Sequence, residues 1–355
     1  MLTLFLIIPC AIRQFLYQIL RIINKPFLYT FSILIYQFLM LGLFLLLSGY
    51  IGNVYSILIA MALAIFIIDF YIIKQINLSH KITLFTDFKI LKESLTYSIP
   101  TVFTNVSIWG VFHINKFVFQ SNKDFLDTAT SGVACFFVSG ILASIFSTFL
   151  FSVFPIIVKQ YEKKREIKDF VTATIQLYCA IFIPIVSVFC FYPKILSEIF
   201  LSEKYIQAQI LLPFFATATF LHELLKLINI KYHLKNKTYV EMIITVLIGV
   251  ISLILNIVLI PLFKLWAVGS ILLFSIILLI AANALTKIAA IDYINPIKIA
   301  KTSLYSIATS FASYTFLTIC FKNIGQSHYF QLGQIILFLI LYYTIALNFK
   351  SKILE

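Results

Sequence analysis

At 355 residues, 61% of them hydrophobic and only 12% charged, the chain is too apolar for a water-soluble domain, which sits nearer half apolar and a quarter charged. In such a chain a net charge of +13 reads as loop lysine that sets membrane topology rather than as a footprint for nucleic acid. A β-barrel is excluded by runs such as 27–47, which carry no charge on either face of a would-be strand.

A hydrocarbon core about 30 Å thick takes roughly 20 apolar residues per helix. The sequence predicts ten such spans, at about 27–47, 54–73, 96–119, 129–157, 170–192, 206–228, 239–261, 266–287, 300–321 and 330–348. Met1–Ile23 is a weaker one, interrupted by Arg13. Its opening, MLTLFLIIPC, has neither the basic start nor the small-residue cleavage site of a signal peptide, so no cleavage is expected. The fold class is all-α, a polytopic inner-membrane helical bundle of about 10–11 transmembrane helices. The five cysteines lie in apolar stretches without CxxC spacing, which predicts neither a metal site nor a disulfide framework, and no cofactor is expected.

The loops check the spans independently. Taken alternately, one set of loops carries 21 lysines and arginines and the other 5, and this alternation predicts that the richer set, with the C-terminus, is cytoplasmic. The longest connector of that set is Lys74–Ser94, where Phe85, Phe88, Leu91 and Leu95 recur at near-helical spacing between lysines. That pattern predicts a helix lying on the inner membrane surface between two bundles. The opposite loops are short, the longest being Pro193–Tyr205, and leave no room for a soluble catalytic domain.

At FTDFKILKESLTYSIP the chain resembles the lipid-linked oligosaccharide flippases, the O-antigen and polysaccharide exporters of the multidrug/oligosaccharidyl-lipid/polysaccharide superfamily. Tyr97, Ile99 and Pro100 match their Tyr-x-(Leu/Ile)-Pro helix opening, and Asn115-Lys116-Phe117 falls where the family carries Asp-Arg or Asp-Lys before an aromatic. FSVFPIIVKQYEKK (151–164), YPKILSEIFLSEKYIQAQILLP (192–213) and ILNIVLIPLFKLWAVGS (254–270) resemble later family segments in the same order. The departures are Asn115 for the acid, Ser202 for a turn glycine, and Lys264 and Ala267 for two more. The resemblance implies two six-helix lobes and two further C-terminal helices. On that count 1–94 is a partial first lobe with a linker, 95–288 a complete second lobe and 289–355 the two extra helices; helices one to three are expected to be missing.

A transporter of lipid pyrophosphates must offer cations in a wet cavity, because unpaired buried charge costs many kcal/mol. Intramembrane ionisable residues are therefore the site candidates. Lys116 either snorkels to the headgroups or faces the cavity as the family's cation. His113 shares its helical face, three residues away, with Asn115 beside it. Arg13 interrupts an apolar stretch in the first lobe. His222, Glu223 and Lys226 are candidates for ion coupling or for lining the cavity, Glu223 and Lys226 also being spaced for an intrahelical pair. Asp69, a further candidate, and Glu241 are expected at the interface, and Asn105, Asn256 and Asn283 to bond between helices. Pro100, Pro155, Pro184 and Pro213 are kink candidates.

The resemblance implies a flippase for an undecaprenyl-pyrophosphate oligosaccharide, such as an O-antigen or capsular repeat unit, working by alternating access in the bacterial inner membrane. Other polysaccharide assembly proteins are expected partners, and nucleic acid is not. The alternatives are a multidrug-extrusion antiporter of the same superfamily and a membrane polysaccharide polymerase or ligase. No zinc motif, nucleophile elbow or phosphate loop favours an enzyme.

Overall fold

In a computed structural model of the chain, residues 6–23, 25–76, 88–163, 167–286, 294–320 and 328–348 are described. They are helical nearly throughout and fall into two compact units, Met1–Ile90 and Leu91–Glu355. The chain is a polytopic helical membrane bundle. Among the described residues five helical segments are long and apolar enough to cross a membrane, or six if a bent pair counts as one span.

The first unit is built from α1 (Ile7–Ile22), α2 (Pro26–Ser48) and α3 (Asn53–Ile76). The 16 residues of α1 rise about 24 Å, short of a full hydrocarbon core. Their buried stripe, Leu16, Tyr17 and Leu20, meets Ala64, Ile65, Ile68 and Ile72 of α3, spaced three, four and eight apart as one helical face requires. Around α2 the sequence is apolar on every side, and Phe27, Phe38, Leu45 and Leu46 point outward, as lipid allows and water does not.

In the second unit α4 (Phe88–Ser121) is one helix of 34 residues running through Pro100. The surface helix expected around Phe85–Leu95 is therefore not separate. Its first part lies outside the described residues, and from Phe88 onward it is the start of α4. At about 51 Å, α4 is longer than a hydrocarbon core is thick, and its lysine-bearing first turns are continuous with the apolar stretch expected to span.

Next come α5 (Phe125–Cys135), a π-type turn at Phe136–Gly140, and α6 (Ile141–Glu162). They are followed by α7 (Lys168–Phe191), the short α8 (Pro193–Phe200) and a 3₁₀ segment, Glu203–Ile210. That segment meets α9 (Leu212–Leu234) at 55°. The span expected at 206–228 thus begins six residues later, because Pro213, lacking an N–H, suits the first turn of a helix rather than its middle. Pro213 starts α9 instead of kinking it.

The 48 residues of α10 (Thr238–Leu285) break at Lys264, where φ is 49°. Glu241, near one end, bonds Asn229, while Thr286, just past the other, bonds Tyr232 three residues further along α9. Both ends of α10 thus return to the same end of α9, and the segment is the pair of spans expected at 239–261 and 266–287. The fold closes with α11 (Pro296–Cys320) and α12 (His328–Asn348).

The most heavily buried helices, α7 and α9, share a core in which Phe146, Tyr178, Phe182 and Phe220 interlock. Tyr178 stacks on Phe220 at 5.1 Å and donates to its carbonyl at 3.0 Å. Pro184, inside α7, leaves the Ala180 carbonyl without its helical donor, and its ring crowds that carbonyl. Tyr342 of α12 reaches across to repair this, donating to Ala180 O at 3.0 Å, and Tyr343 donates to Ile181 O at 2.8 Å. In hydrocarbon such a carbonyl has no water to turn to. Tyr342→Phe is expected to destabilise by about 1 kcal/mol, within the range for hydrogen bonds in membrane helices, while Tyr342→Phe with Pro184→Ala recovers most of it. SDS-unfolding titrations of the purified proteins measure both. Asn256 and Asn283 do not join helices as expected; each donates to the carbonyl four residues back in its own helix, at 2.7 and 2.8 Å, while Asn105 is exposed.

Candidate functional site

The polar groups of α4 gather where it meets α5. His113 and Lys116, one turn apart, touch: Nζ of Lys116 is 3.0 Å from Nδ1 of His113. Cys135 Sγ lies 3.9 Å from the same nitrogen, and the Trp109 ring is 5.2 Å from the imidazole. Lys116 packs against Gly132, where a Cβ would stand at ordinary contact distance, 3.8 Å, from Lys116 Cε. Asn115 points elsewhere. It is buried, accepts from Ser131 Oγ at 2.9 Å and donates to Phe112 O at 3.2 Å. With both ends of its amide engaged, Asn115 ties α4 to α5 and leaves the cation beside it to Lys116.

On α9 a second group faces the same helix. Phe112 of α4 packs edge-on against the His222 ring at 5.7 Å. His222 Nδ1 is 3.6 Å, and Lys226 Nζ 2.5 Å, from Oε1 of Glu223. The lysine is half exposed, whereas Glu223 is buried to 2%, and its other oxygen, Oε2, has no hydrogen-bond partner. The spacing of three that suggested an intrahelical pair does form one, and it satisfies only half of the carboxylate.

Arg13 and Asp69 belong to the first unit. Both are buried, at 9% and 7% exposure. Asp69, expected near a membrane interface, lies on the α3 face that carries Ile65, Ile68 and Ile72, which turns it toward the core of the first unit. The Arg13 guanidinium sits 4.1 Å over the Tyr36 ring, and Asp69 is within electrostatic reach of it. Arg13 Nε and Nη1, Tyr17 Oη and Asp69 Oδ1 have no hydrogen-bond partner. The structure thus groups the candidates into three clusters: Arg13 with Asp69, Lys116 with His113, and Glu223 with His222 and Lys226.

One network went unread in the sequence. Tyr97 Oη is 2.8 Å from His233 Nδ1, His233 Nε2 is 3.4 Å from Glu241 Oε2, and Asn229 donates to Glu241 Oε1 at 2.9 Å. Glu241, expected at the membrane interface, is buried in this chain of contacts in the first turn of α10. A tight turn makes it possible. Asn236 takes a positive φ of 52°, and Lys237 N–H reaches back to Tyr232 O at 2.8 Å, a Schellman-type helix end that folds α10 straight back on α9. Asn229 and His233, four apart, share a face of α9; that spacing was the available signal.

No family model matches the chain, and no curated protein does. Among solved structures it matches the lipid II flippase MurJ in an inward closed conformation, with a TM-score of 0.65 and 16% identity, over 97% of this chain and 72% of that one. The chain is similar in fold to a flippase. At that identity the likeness is one of architecture. It bears on the fold alone, and leaves the substrate to the functional argument below.

Proposed function

We propose that the chain is a transporter that carries a lipid-linked oligosaccharide across the bacterial inner membrane, the anionic linkage being a pyrophosphate and the lipid a polyprenol of the undecaprenyl kind. The observation that carries this reading is Lys116, held against His113 at the α4–α5 seam under a glycine, in a chain whose fold is similar to that of a lipid II flippase. A lysine in an apolar helix with no acid paired to it retains its attraction for an anion. His113 orients the ammonium and offers its own ring to the same oxygen atoms. O-antigen or capsular repeat units are the cargo that the polysaccharide-flippase motifs favour, moved by alternating access between two lobes with the C-terminus in the cytoplasm. The lipid-linked anion also separates this reading from a multidrug extruder, which has no need of a fixed cation.

The test is complementation of a flippase-null strain, with surface polysaccharide measured per cell. Lys116→Ala is expected to lower export about tenfold, the equivalent of one lost hydrogen bond to a charged group, and Lys116→Arg to keep most of it. Equal export by Lys116→Ala and the parent at matched membrane abundance would remove Lys116 from the site.

A further inference from the structure

Helix α5 does not pass smoothly into α6. Residues Phe136–Gly140 wind as a π-type turn, a local widening that recurs at functional sites in helices. Beside it lies an open groove of about 530 Å³, lined by Ala129, Gly132, Val133, Phe136, Ile141 and Phe200 among others. That volume is in the usual range of small-molecule sites, roughly 300–1,000 Å³. Its side chains are all apolar. Phe137, also on its wall, braces Phe200 at 5.6 Å and Phe189 at 6.2 Å, which fixes the short helix α8 as the far wall.

What distinguishes this groove from an ordinary lipid-facing furrow is the cation at its edge. Gly132 both lines the groove and lies in contact with Lys116, whose Cε is 3.8 Å from where a Cβ would stand. An ammonium and an apolar trough therefore meet at one glycine. The complementary ligand has an anionic head joined directly to a hydrocarbon chain. A zwitterionic phospholipid fits less well, because its own amine neutralises the phosphate that the lysine would bind.

We propose that this groove holds the hydrocarbon chain of the phosphorylated lipid whose head Lys116 receives, so that head and chain are recognised side by side at the α4–α5 seam. The inference rests on the reading of Lys116 given above and adds a chain subsite to it. The site would then select prenyl pyrophosphates over free pyrophosphate and over uncharged prenols.

The probe is a farnesyl pyrophosphate analogue with a diazirine near the end of its chain, photolysed with the full chain in phosphatidylcholine nanodiscs and mapped by peptide mass spectrometry. Labelling is expected within 129–141 and 200–201. Ala129→Trp, which fills the groove, and Lys116→Gln, which removes the head contact, are each expected to cut it about tenfold, a difference of about 1.4 kcal/mol. Val133→Phe serves as a second filling variant should Ala129→Trp fail to fold. Labelling confined to other helices, or undiminished in the filled variants, overturns the chain subsite while the reading of Lys116 still stands on its complementation test. Groove labelling that ignores both Lys116→Gln and an excess of inorganic pyrophosphate also overturns it, since the groove would then be a general hydrocarbon site.

Discussion

Asp69→Ala is expected to cost the first unit about 1–3 kcal/mol, because it removes an acid within electrostatic reach of a buried guanidinium, although the two form no hydrogen-bonded pair. The reason lies with Arg13. Its guanidinium is largely buried, at 9% exposure, and two of its nitrogens have no hydrogen-bond partner. The Tyr36 ring beneath it, at 4.1 Å, offers a cation–π contact, worth about 2 kcal/mol when desolvated, and this falls short of a countercharge. Arg13→Met in the Asp69→Leu background should restore most of the loss, because an apolar pair removes both the charge and the orphaned atoms at Nε, Nη1 and Oδ1. A double-mutant cycle on SDS-unfolding curves yields the coupling energy. A coupling near zero would mean that the two side chains are stabilised independently.

How far the fold was legible depended on the range of the signal. Uninterrupted apolar runs place α2, α3 and α7, since nothing but hydrocarbon suits them, and the reversal at Lys264 follows from a lone cation between two such runs. The start of α9 was misread because IQAQILL is apolar enough to continue the helix, and only the 3₁₀ geometry before Pro213 shows that it does not. The contact of His113 with Lys116 is a spacing of three on one helix, and so was visible. By contrast, Asp69 lies 56 residues from Arg13 and Glu241 twelve from Asn229, and no local pattern states which helix faces meet. For the same reason the groove was invisible. A π-type turn is made by packing, and Gly132 is merely a small residue until Lys116 is seen against it.

Glu223 separates stability from function most sharply. Its carboxylate is buried to 2%, yet Oε2 is unpartnered and Lys226, which holds Oε1, is half exposed. Such an arrangement is a modest source of stability, because Lys226 is half exposed and one carboxylate oxygen is left unpaired. Glu223→Gln is therefore expected to leave thermal stability little changed. Transport should respond differently if the free oxygen receives a proton, a metal cation or a substrate group during the cycle, as the placement of His222 on the same carboxylate suggests. Export in the complementation assay is then expected to fall on the order of 100-fold, the upper end of what a lost contact to a charged group represents. Glu223→Asp should recover part of the activity, which Gln cannot. Loss of both stability and export in Glu223→Gln would show the carboxylate to be a structural member of α9. Loss of neither would take it out of the mechanism.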